Sequence, residues 1–485
     1  MGFDILIKDG FVITMDPENR VIQKGSVGIV GDKIVKVGPA HEFEGLEAEK
    51  VIDAKDCIIM PGLVDTHGHA GHGLTKTMGD ALHAKDWLRL MEYIYYENTT
   101  EDFWYVEGLL SGLERLKFGT TCGFSMLGSA PRFDDPVYAS RHAEALQEIG
   151  IREIIGMGPC RPPWPRRFVK WQNGTAKEIK VSLEEALNNT RAVLKKWHGK
   201  NDMIYVHVSP SEIGKVMGTI EEVQELFAKL KGLVAEFNTK LNSHLYGGGV
   251  TYAQKYLDVL GPDTIVAHAT GISMDEVKIL AETGTNVSSS PSARAYCIRR
   301  CPVPELLEAG ANVALSTDGT SPDRTFDLFK ELKVAMIEHR SHFGDTSYMP
   351  PGKVLKMVTI DAAKALGLDS LIGSLECGKK ADVILIDMNS PHLVPKLMPV
   401  QRVVYEATGS DVTTVVVDGK VLMENRRVLT VDERVVIDRA QTEAEKMLAR
   451  ADISEIFVEP EGYWDGIKHS HARFEKNTDI VTADF

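Results

Sequence analysis

The stretch PGLVDTHGH at residues 61–69 is the part of the sequence that decides the fold. It follows the apolar letters CIIM at 57–60, so residues 57–65 predict a short strand that ends in polar residues. Side chains on a strand alternate between its two faces, so His67 and His69 leave the same face and can reach one metal ion. A His-x-His pair alone is a modest signal, because a polar turn with surface histidines has the same pattern.

A short apolar strand followed by a helical stretch recurs through the middle of the chain. The predicted strands cover residues 57–65, 120–126, 151–157, 203–208, 240–245, 264–269, 285–289 and 312–317. Helical spacing lies between them at 101–118, 183–197, 221–236, 274–282 and 326–338. Strands that alternate with helices pair in parallel, and eight such units close into an α/β fold, the (β/α)8 TIM barrel. An open doubly wound sheet is the alternative, although no Gly-rich phosphate loop follows any strand.

Both ends of the chain carry a different pattern, one of short alternating strands. Hairpin signals such as Asp9-Gly10 and Asp418-Gly419 punctuate residues 1–56 and 372–430. Because neither flank is long enough for a core of its own, we expect the two to pack together as one small β-sandwich beside a barrel of residues 57–371.

The remaining segment, residues 431–485, predicts a helix at 432–451 followed by an irregular extension rich in Glu, Asp and His. We interpret it as a surface or subunit-contact segment rather than a catalytic one, and we expect a homo-oligomer.

The composition is that of a globular protein and excludes several classes. The chain has 485 residues, 43% hydrophobic and 26% charged, which rules out a largely disordered or fibrous chain. With 55 Lys+Arg against 69 Asp+Glu the formal charge is −14, which argues against a nucleic acid or an anionic membrane as partner. No apolar stretch approaches ~18 residues, the N-terminus lacks a secretory signal, and the six cysteines form no CxxC motif. We therefore expect a soluble cytoplasmic protein that acts on a small molecule.

Three further polar residues stand at the ends of predicted barrel strands: His244, His268 and Asp318. The carboxyl ends of the strands meet at one rim of a barrel, so these residues are expected to join His67 and His69 there. Three neutral imidazoles and a carboxylate that leave one position for water make a catalytic site for a single first-row metal ion. Zinc is the expected ion, although this ligand set also suits iron and cobalt.

These motifs, together with STDG at 316–319 and GSLECGKKADVILID at 373–387, resemble the amidohydrolase superfamily over nearly the whole chain. The closest resemblance is to its branch of cytosine, guanine and adenosylhomocysteine deaminases and triazine hydrolases. The resemblance implies one metal ion held by His67, His69, His244 and Asp318, with His268 beside the metal-bound water. Members with two metals carry a bridging lysine at the end of strand four, and MIYVHVSPSE at 203–212 has none, which implies a mononuclear site.

The sequence departs from the deaminases of this branch at one position. They carry Glu three residues after the strand-five histidine, whereas here Gly247 follows His244 at that spacing. The missing acid would protonate the substrate ring, a contribution of roughly 10²–10⁴-fold. A carbonyl carbon needs no ring protonation, since the metal polarises its oxygen and Asp318, as general base, can pass a proton to the leaving nitrogen. We therefore predict hydrolysis of an amide, urea or carbamate.

Strand parity places Asn242 and Tyr246 on the face of His244, where Asn242 would bind substrate and Tyr246 would hold the developing oxyanion. This combination resembles the phenylurea and molinate hydrolases, so an N-aryl urea is the predicted substrate. Two alternatives remain: an aminohydrolase or chlorohydrolase of a pyrimidine, purine or s-triazine ring, and a scaffold without catalysis. The scaffold is disfavoured because every candidate ligand is present.

Two more residues are candidate substrate contacts. His207 ends strand four and could bind a substrate carbonyl, although a structural histidine fits equally well. Trp87 begins an aromatic-rich helix that could pack an aryl group, although such aromatics are more often core. The insertion CRPPWPRRFVKWQNG at 160–174 is interpreted as a lid, with a solvated loop as the alternative. His72 and His83 are interpreted as ordinary loop residues.

Overall fold

The computed structural model of the chain describes residues 2–80, 82–214, 218–293, 299–468, 474 and 476. The strands in chain order are β1 (Phe3–Ile13), β2 (Val21–Val30), β3 (Lys33–Pro39), β4 (Ala48–Asp53), β5 (Cys57–Pro61), β6 (Leu63–Val64), β7 (His69–Ala70), β8 (Thr120–Leu127), β9 (Arg152–Met157), β10 (Arg166–Gln172), β11 (Thr175–Val181), β12 (Ile204–Val208), β13 (Leu241–Tyr246), β14 (Thr264–Thr270), β15 (Asn286–Ser289), β16 (Val313–Leu315), β17 (Val383–Asp387), β18 (Val412–Val417), β19 (Lys420–Glu424) and β20 (Arg427–Val428).

The α-helices are α1 (Ala84–Glu97), α2 (Glu101–Lys117), α3 (Pro136–Ile149), α4 (Leu183–Trp197), α5 (Ile220–Phe237), α6 (Gly249–Tyr256), α7 (Met274–Thr283), α8 (Val303–Glu308), α9 (Leu328–Phe343), α10 (Pro351–Lys356), α11 (Ile360–Leu366), α12 (Pro399–Tyr405) and α13 (Glu433–Ala451). Ser182, Thr219 and Ser273 begin α4, α5 and α7 with a capping box, each paired with a glutamate three residues later. Among the described residues, none of these helices has the length and apolar character of a membrane span.

A curled parallel sheet forms the (β/α)8 barrel, as predicted. Its strand order is β6-β8-β9-β12-β13-β14-β15-β16, and β7 pairs with β8 farther along that strand. The last strand returns to the first, because the backbone N–H of Asp318 donates to the carbonyl of His67 over 3.0 Å. The α/β prediction and its parallel pairing are therefore confirmed.

One predicted strand, 57–65, is in fact two strands in two different sheets. β5 pairs in parallel with β1 and antiparallel with β17, whereas β6 pairs with β8 in the barrel. Gly62 separates them, and a Cβ at this position would lie 2.1 Å from Oγ1 of Thr121. The chain therefore changes sheets at a position where the backbone lies so close to Thr121 that there is no room for a Cβ.

Both chain ends build one additional sheet, in the order β20-β19-β18-β17-β5-β1-β2-β3, with β4 paired to β1. The prediction that the two flanks pack together is confirmed, but they are joined by backbone hydrogen bonds between β5 and β17 as well as by side-chain packing. Apolar residues from both ends, including Ile7, Ile59 and Val383, share a core of their own.

The insertion after β9 forms the antiparallel hairpin β10–β11, which docks on α1. Phe168 in β10 is fully buried, and its ring lies 4.6 Å from that of Tyr96 and 5.0 Å from that of Phe133. The solvated-loop interpretation is therefore wrong for this segment, because the base of the hairpin is part of the core. Its role as a lid stays a prediction.

The C-terminal helix is α13, close to its predicted bounds. The five cysteines that the structure describes are free thiols, and Cys297 lies outside the described residues. In the predicted irregular extension, residues 469–473, 475 and 477–485 also lie outside them.

Candidate metal centre

The five predicted strand-end residues meet at the carboxyl rim of the barrel. The ring centroid of His67 lies 4.9 Å from that of His69, 4.9 Å from that of His244 and 5.1 Å from that of His268. Oδ1 of Asp318 lies 3.1 Å from Nε2 of His69 and 3.7 Å from Nε2 of His67. Two overlapping sets have donor atoms close enough for one ion: His67 with His244 and His268, and His67 with His69 and Asp318.

Backbone carbonyls orient two of the imidazoles. Nδ1 of His69 donates to the carbonyl of Gly128 over 2.7 Å, and Nδ1 of His244 donates to the carbonyl of Ser211. A hydrogen on each Nδ1 leaves the Nε2 lone pair free, and the two Nε2 atoms face each other at 3.3 Å. Two lone pairs at this distance repel unless a cation lies between them, so the tautomers fit a metal site.

His67 gives the strongest sign that the cluster suits an ion. It is completely buried, and neither ring nitrogen has a hydrogen-bond partner among the described residues. Leaving buried polar atoms unsatisfied costs roughly 1–3 kcal/mol, a cost that metal coordination removes. Burial, followed by the neighbouring imidazoles, holds the pKa of His67 well below its usual value. Burial likewise lowers the pKa of His244 to about 3 and that of His268 to about 4, so the rings are neutral and able to act as ligands.

Asp318 is held as a carboxylate by residues around it. Burial alone would raise its pKa, but the guanidinium of Arg324, followed by the nearby His69 and His268, keeps that pKa well below its usual range. Its Oδ1 accepts from the backbone N–H of Gly319 over 2.7 Å. Both Asp318 and His268 have left-handed backbone conformations, with φ of +60° and +69°. Such strain in non-glycine residues is concentrated at functional sites.

Two residues of this environment were not predicted as site residues. Arg324 lies in the turn after Asp318, and nothing in its sequence context distinguishes it from a surface arginine. His72, which the sequence suggested was an ordinary loop residue, is buried, and its ring stacks 4.8 Å from that of His69. Its Nε2 lies 2.9 Å from Oγ of Ser129. The one available signal was its position three residues after His69.

A buried network of ion pairs and hydrogen bonds lies next to the cluster. Asp65 accepts from the backbone N–H of Thr317 over 3.1 Å and from its hydroxyl over 2.6 Å. Arg115 lies 3.8 Å from Asp65 and donates to Glu153 over 2.9 Å. Burial raises the pKa of Asp65 to about 6, and the charge of Arg115 opposes that rise. Arg115 also donates to the hydroxyl of Ser125, so the network ties the first strand of the barrel to the second, third and last strands.

Two of the predicted substrate contacts, Asn242 and His207, are buried. Asn242 is completely buried, and its Nδ2 donates to the carbonyl of Thr66 over 3.4 Å, beside the strand end that carries His67. His207 is also buried, with its ring 6.0 Å from that of Phe124. These positions place both residues inside the barrel.

The remaining two predicted contacts are aromatic and lie against the cluster. The ring of Tyr246 stacks on His268 at 5.7 Å, and the ring of Trp87 meets His72 edge-on at 5.8 Å. The structure thus brings aromatic side chains to two sides of the histidine cluster, and their contact with a substrate stays a prediction.

The strand-four loop is the last part of the site that sequence reasoning missed. Glu212 forms a parallel bridge with His244, and the N–H of Ile213 donates to the carbonyl of His244 over 2.8 Å. Burial raises the pKa of Glu212 to about 7, with Arg161 opposing the rise. At Gly247 a Cβ would lie 2.3 Å from the carbonyl oxygen of Gly271, so this backbone leaves no room there for a side chain.

Sequence comparison agrees with this architecture. The family model described as "Amidohydrolase family" matches residues 58–422, which cover most of the chain. The chain belongs to the amidohydrolase family, and it is therefore a hydrolytic enzyme that acts on C–N bonds, in a family where metal dependence is typical.

Its relatives include deaminases of adenine nucleosides. It is 34% identical to the 5'-deoxyadenosine deaminase of Methanosarcina acetivorans over 93% of this chain and 99% of that protein. It is 29% identical to the 5-methylthioadenosine/S-adenosylhomocysteine deaminase of Syntrophobacter fumaroxidans, over 90% of this chain and 97% of the relative.

Solved structures share the fold. An adenosine deaminase of Xanthomonas campestris with bound zinc superimposes with a TM-score of 0.79 at 21% identity, covering 92% of this chain and 99% of that one. An atrazine chlorohydrolase of Arthrobacter aurescens complexed with zinc gives a TM-score of 0.77 at 21% identity, covering 91% of this chain and all of that one.

Proposed function

We propose that the enzyme is an aminohydrolase that replaces the 6-amino group of an adenine nucleoside of the 5'-deoxyadenosine type with oxygen and releases ammonia. The observation that carries this proposal is the 34% identity to a 5'-deoxyadenosine deaminase over nearly the full length of both chains. The cluster of neutral imidazoles and one carboxylate supports it, because hydrolytic deamination needs an activated water.

His67, His69, His244 and Asp318 would hold the ion in this proposal, and zinc is the ion we propose. A bound divalent transition metal supplies Lewis-acid chemistry that makes water a nucleophile near neutral pH. The orphaned nitrogens of His67 and the facing Nε2 atoms of His69 and His244 are the features of this chain that suit it.

The proton transfers fall to the protein itself. Asp318, kept ionised by Arg324, would accept a proton from the attacking water and deliver it to the departing amine. His268 would orient that water from the other side of the cluster, with its ring held against Tyr246. Trp87 and Tyr246 would pack the planar base.

The urea hypothesis has weaker support. It rests on the missing acid at Gly247, whereas the relatives named above are deaminases and none of them is a phenylurea hydrolase. Aromatic deamination, the alternative that the sequence left open, is therefore the better-supported function, and the N-aryl urea becomes an outcome that the test can reveal.

The test is a product assay with zinc-loaded protein. Ammonia release and the ultraviolet shift from a 6-amino to a 6-oxo purine are measured with 5'-deoxyadenosine, 5'-methylthioadenosine, S-adenosylhomocysteine and adenosine. Aniline release from phenylureas is measured in parallel, with Asp318→Asn as the inactive control. We expect ammonia from the nucleosides and no aniline. Aniline release without deamination of any nucleoside would overturn the proposal and restore the urea hypothesis.

A further inference from the structure

Deamination of an adenine ring requires a proton that the described cluster does not supply. When water adds to C6, the electron pair of the C6=N1 bond moves to N1, and protonation of N1 stabilises this charge. Asp318 is occupied as the proposed base, and Gly247 has no side chain. Because a Cβ at 247 would lie 2.3 Å from the carbonyl oxygen of Gly271, no residue there could carry an acid in this backbone.

We propose that Glu212, in the loop after β12, is the acid that protonates the ring nitrogen; this inference rests on the proposed deaminase function. The loop is hydrogen-bonded to the strand that carries His244. Ser211 accepts from the His244 ring, Ile213 donates to the His244 carbonyl, and Glu212 itself pairs with His244 in a parallel bridge.

The bridge sets the face on which the Glu212 side chain leaves the backbone. Directly paired residues of neighbouring strands carry their side chains on the same face of a sheet, because side chains alternate along each strand. The side chain of Glu212 therefore leaves on the face that carries the His244 imidazole, which is the face of the metal cluster. Glu212 therefore approaches the cluster from the loop after β12. Position 247, in contrast, lies three residues after His244 in the chain.

The carboxyl of Glu212 is also uncommitted within the part of the chain that the structure describes. It is partly buried, and no hydrogen bond or ion pair from these residues holds it. Arg161, whose charge acts on Glu212, is itself bonded to Glu92 over 3.2 Å and to the hydroxyl of Ser211 over 3.2 Å. Arg161 thus fixes the loop while its charge is balanced by Glu92.

The other carboxylate near the strand-five loop is already occupied. Glu276 accepts from the backbone N–H groups of Gly248 over 3.2 Å and Thr251 over 3.1 Å, and it completes the capping box of α7. A carboxylate that satisfies helix and loop N–H groups is not a proton donor, so of these two carboxyl groups Glu212 is the one able to act as an acid.

The reaction balances with these groups. The water oxygen bonds to C6, one water proton passes to Asp318, and the Glu212 proton passes to N1. The proton on Asp318 then moves to the amine, the C6–N bond breaks and ammonia leaves. The hydroxyl proton that remains on C6 returns to the Glu212 carboxylate as C6=O forms, which restores both side chains and yields the 6-oxo nucleoside.

The experiment compares Glu212→Gln, Glu212→Asp and the unmodified enzyme, all zinc-loaded, with 5'-deoxyadenosine as substrate. Gln keeps the size and loses the acid, so kcat should fall about 10²–10⁴-fold while the metal content is unchanged. Asp should retain part of the rate. The matched control is Glu221→Gln, an exposed glutamate in the first turn of α5, which should behave like the unmodified protein.

A binding measurement keeps the test independent of turnover. A 5'-deoxy purine nucleoside without the 6-amino group can bind as its hydrate, which carries a proton on N1. Glu212→Gln should weaken the binding of this compound by a factor similar to the fall in kcat. Binding of the 6-oxo product should change little. A Glu212→Gln variant that deaminates within a few-fold of the unmodified rate would overturn this inference and leave the proposed function standing. Absence of deamination by the unmodified enzyme on every adenine nucleoside would overturn both.

Discussion

Arg324 and His69 approach different oxygens of Asp318. Nη2 of Arg324 lies 3.5 Å from Oδ2, and Nε2 of His69 lies 3.1 Å from Oδ1. The arginine therefore neutralises the carboxylate from one oxygen while the other faces the histidine cluster. This arrangement keeps a base ionised in a buried site and turns a single oxygen toward the ion and water that we propose.

The first prediction tests the ion. Replacing His67, whose ring nitrogens have no protein partner among the described residues, should abolish both metal retention and turnover. We expect His67→Ala to contain no transition metal by elemental analysis, whereas the exposed control His41→Ala keeps it. Full metal occupancy and rate in His67→Ala would refute the assignment of this cluster as the metal site.

The second prediction tests whether His268 is a metal ligand or only orients the water. One of the two geometric donor sets includes His268, so the structure allows either role. Asparagine tolerates the left-handed backbone at this position, so His268→Asn should fold normally. We expect the rate to fall about 10²–10⁴-fold with the metal content unchanged. A folded variant that purifies without metal would show that His268 is a true ligand.

The third prediction concerns Gly247, where the backbone leaves no room for a Cβ. An added Cβ would press on the carbonyl of Gly271, so Gly247→Ala should lose about 1–3 kcal/mol in the free energy of unfolding measured in urea. Gly232→Ala is the control, because its Cβ meets no atom within 4 Å, and it should gain about 0.5–1 kcal/mol. Equal stability of Gly247→Ala and the parent would mean that the backbone yields easily there.

The fourth prediction is a pH dependence of stability. Burial raises the pKa of Glu331 in α9 to about 7, and the backbone N–H of Ser292, which donates to it over 3.0 Å, opposes the rise. The folded state then holds a proton that the unfolded state has lost above pH 4.5, so this residue reduces stability as pH rises through that window.

Glu331→Gln removes this penalty while keeping an oxygen for Ser292. From pH 5 to pH 8 its unfolding free energy should rise relative to that of the parent by about 2 kcal/mol. Metal loss at low pH affects both proteins alike, so the quantity to compare is their difference in urea unfolding. A difference that is constant across this range would show that Glu331 is not buried in the protonated form.

The barrel could be predicted because its signal is local and repeated. Each unit carries its own strand, polar strand end and helix, and parallel pairing then brings the ends to one rim whatever the loops do. That is why His67, His244 and Asp318, far apart in sequence, could be expected together. The switch of sheets at Gly62 could not be predicted, since it depends on contact with Thr121.

The loop residues of the site were not predictable for the same physical reason. Arg324, His72 and Glu212 owe their positions to the course of connections after strands, which local patterns do not determine. The urea prediction depended on this, because the sequence motif indicates a position for the acid only at Gly247, after strand five. The strand-four loop offers a carboxyl group beside His244 from the other side.

The pairing of β5 with β17 has a consequence for synthesis on the ribosome. Cys57 and Asp387, which pair at one end of these strands, emerge tens of seconds apart at about 5–20 residues per second. Until the later strand arrives, one edge of β5 has unpaired N–H and C=O groups that could bind another nascent chain. Truncated products that end before β17 should therefore aggregate even though most of the barrel has been translated.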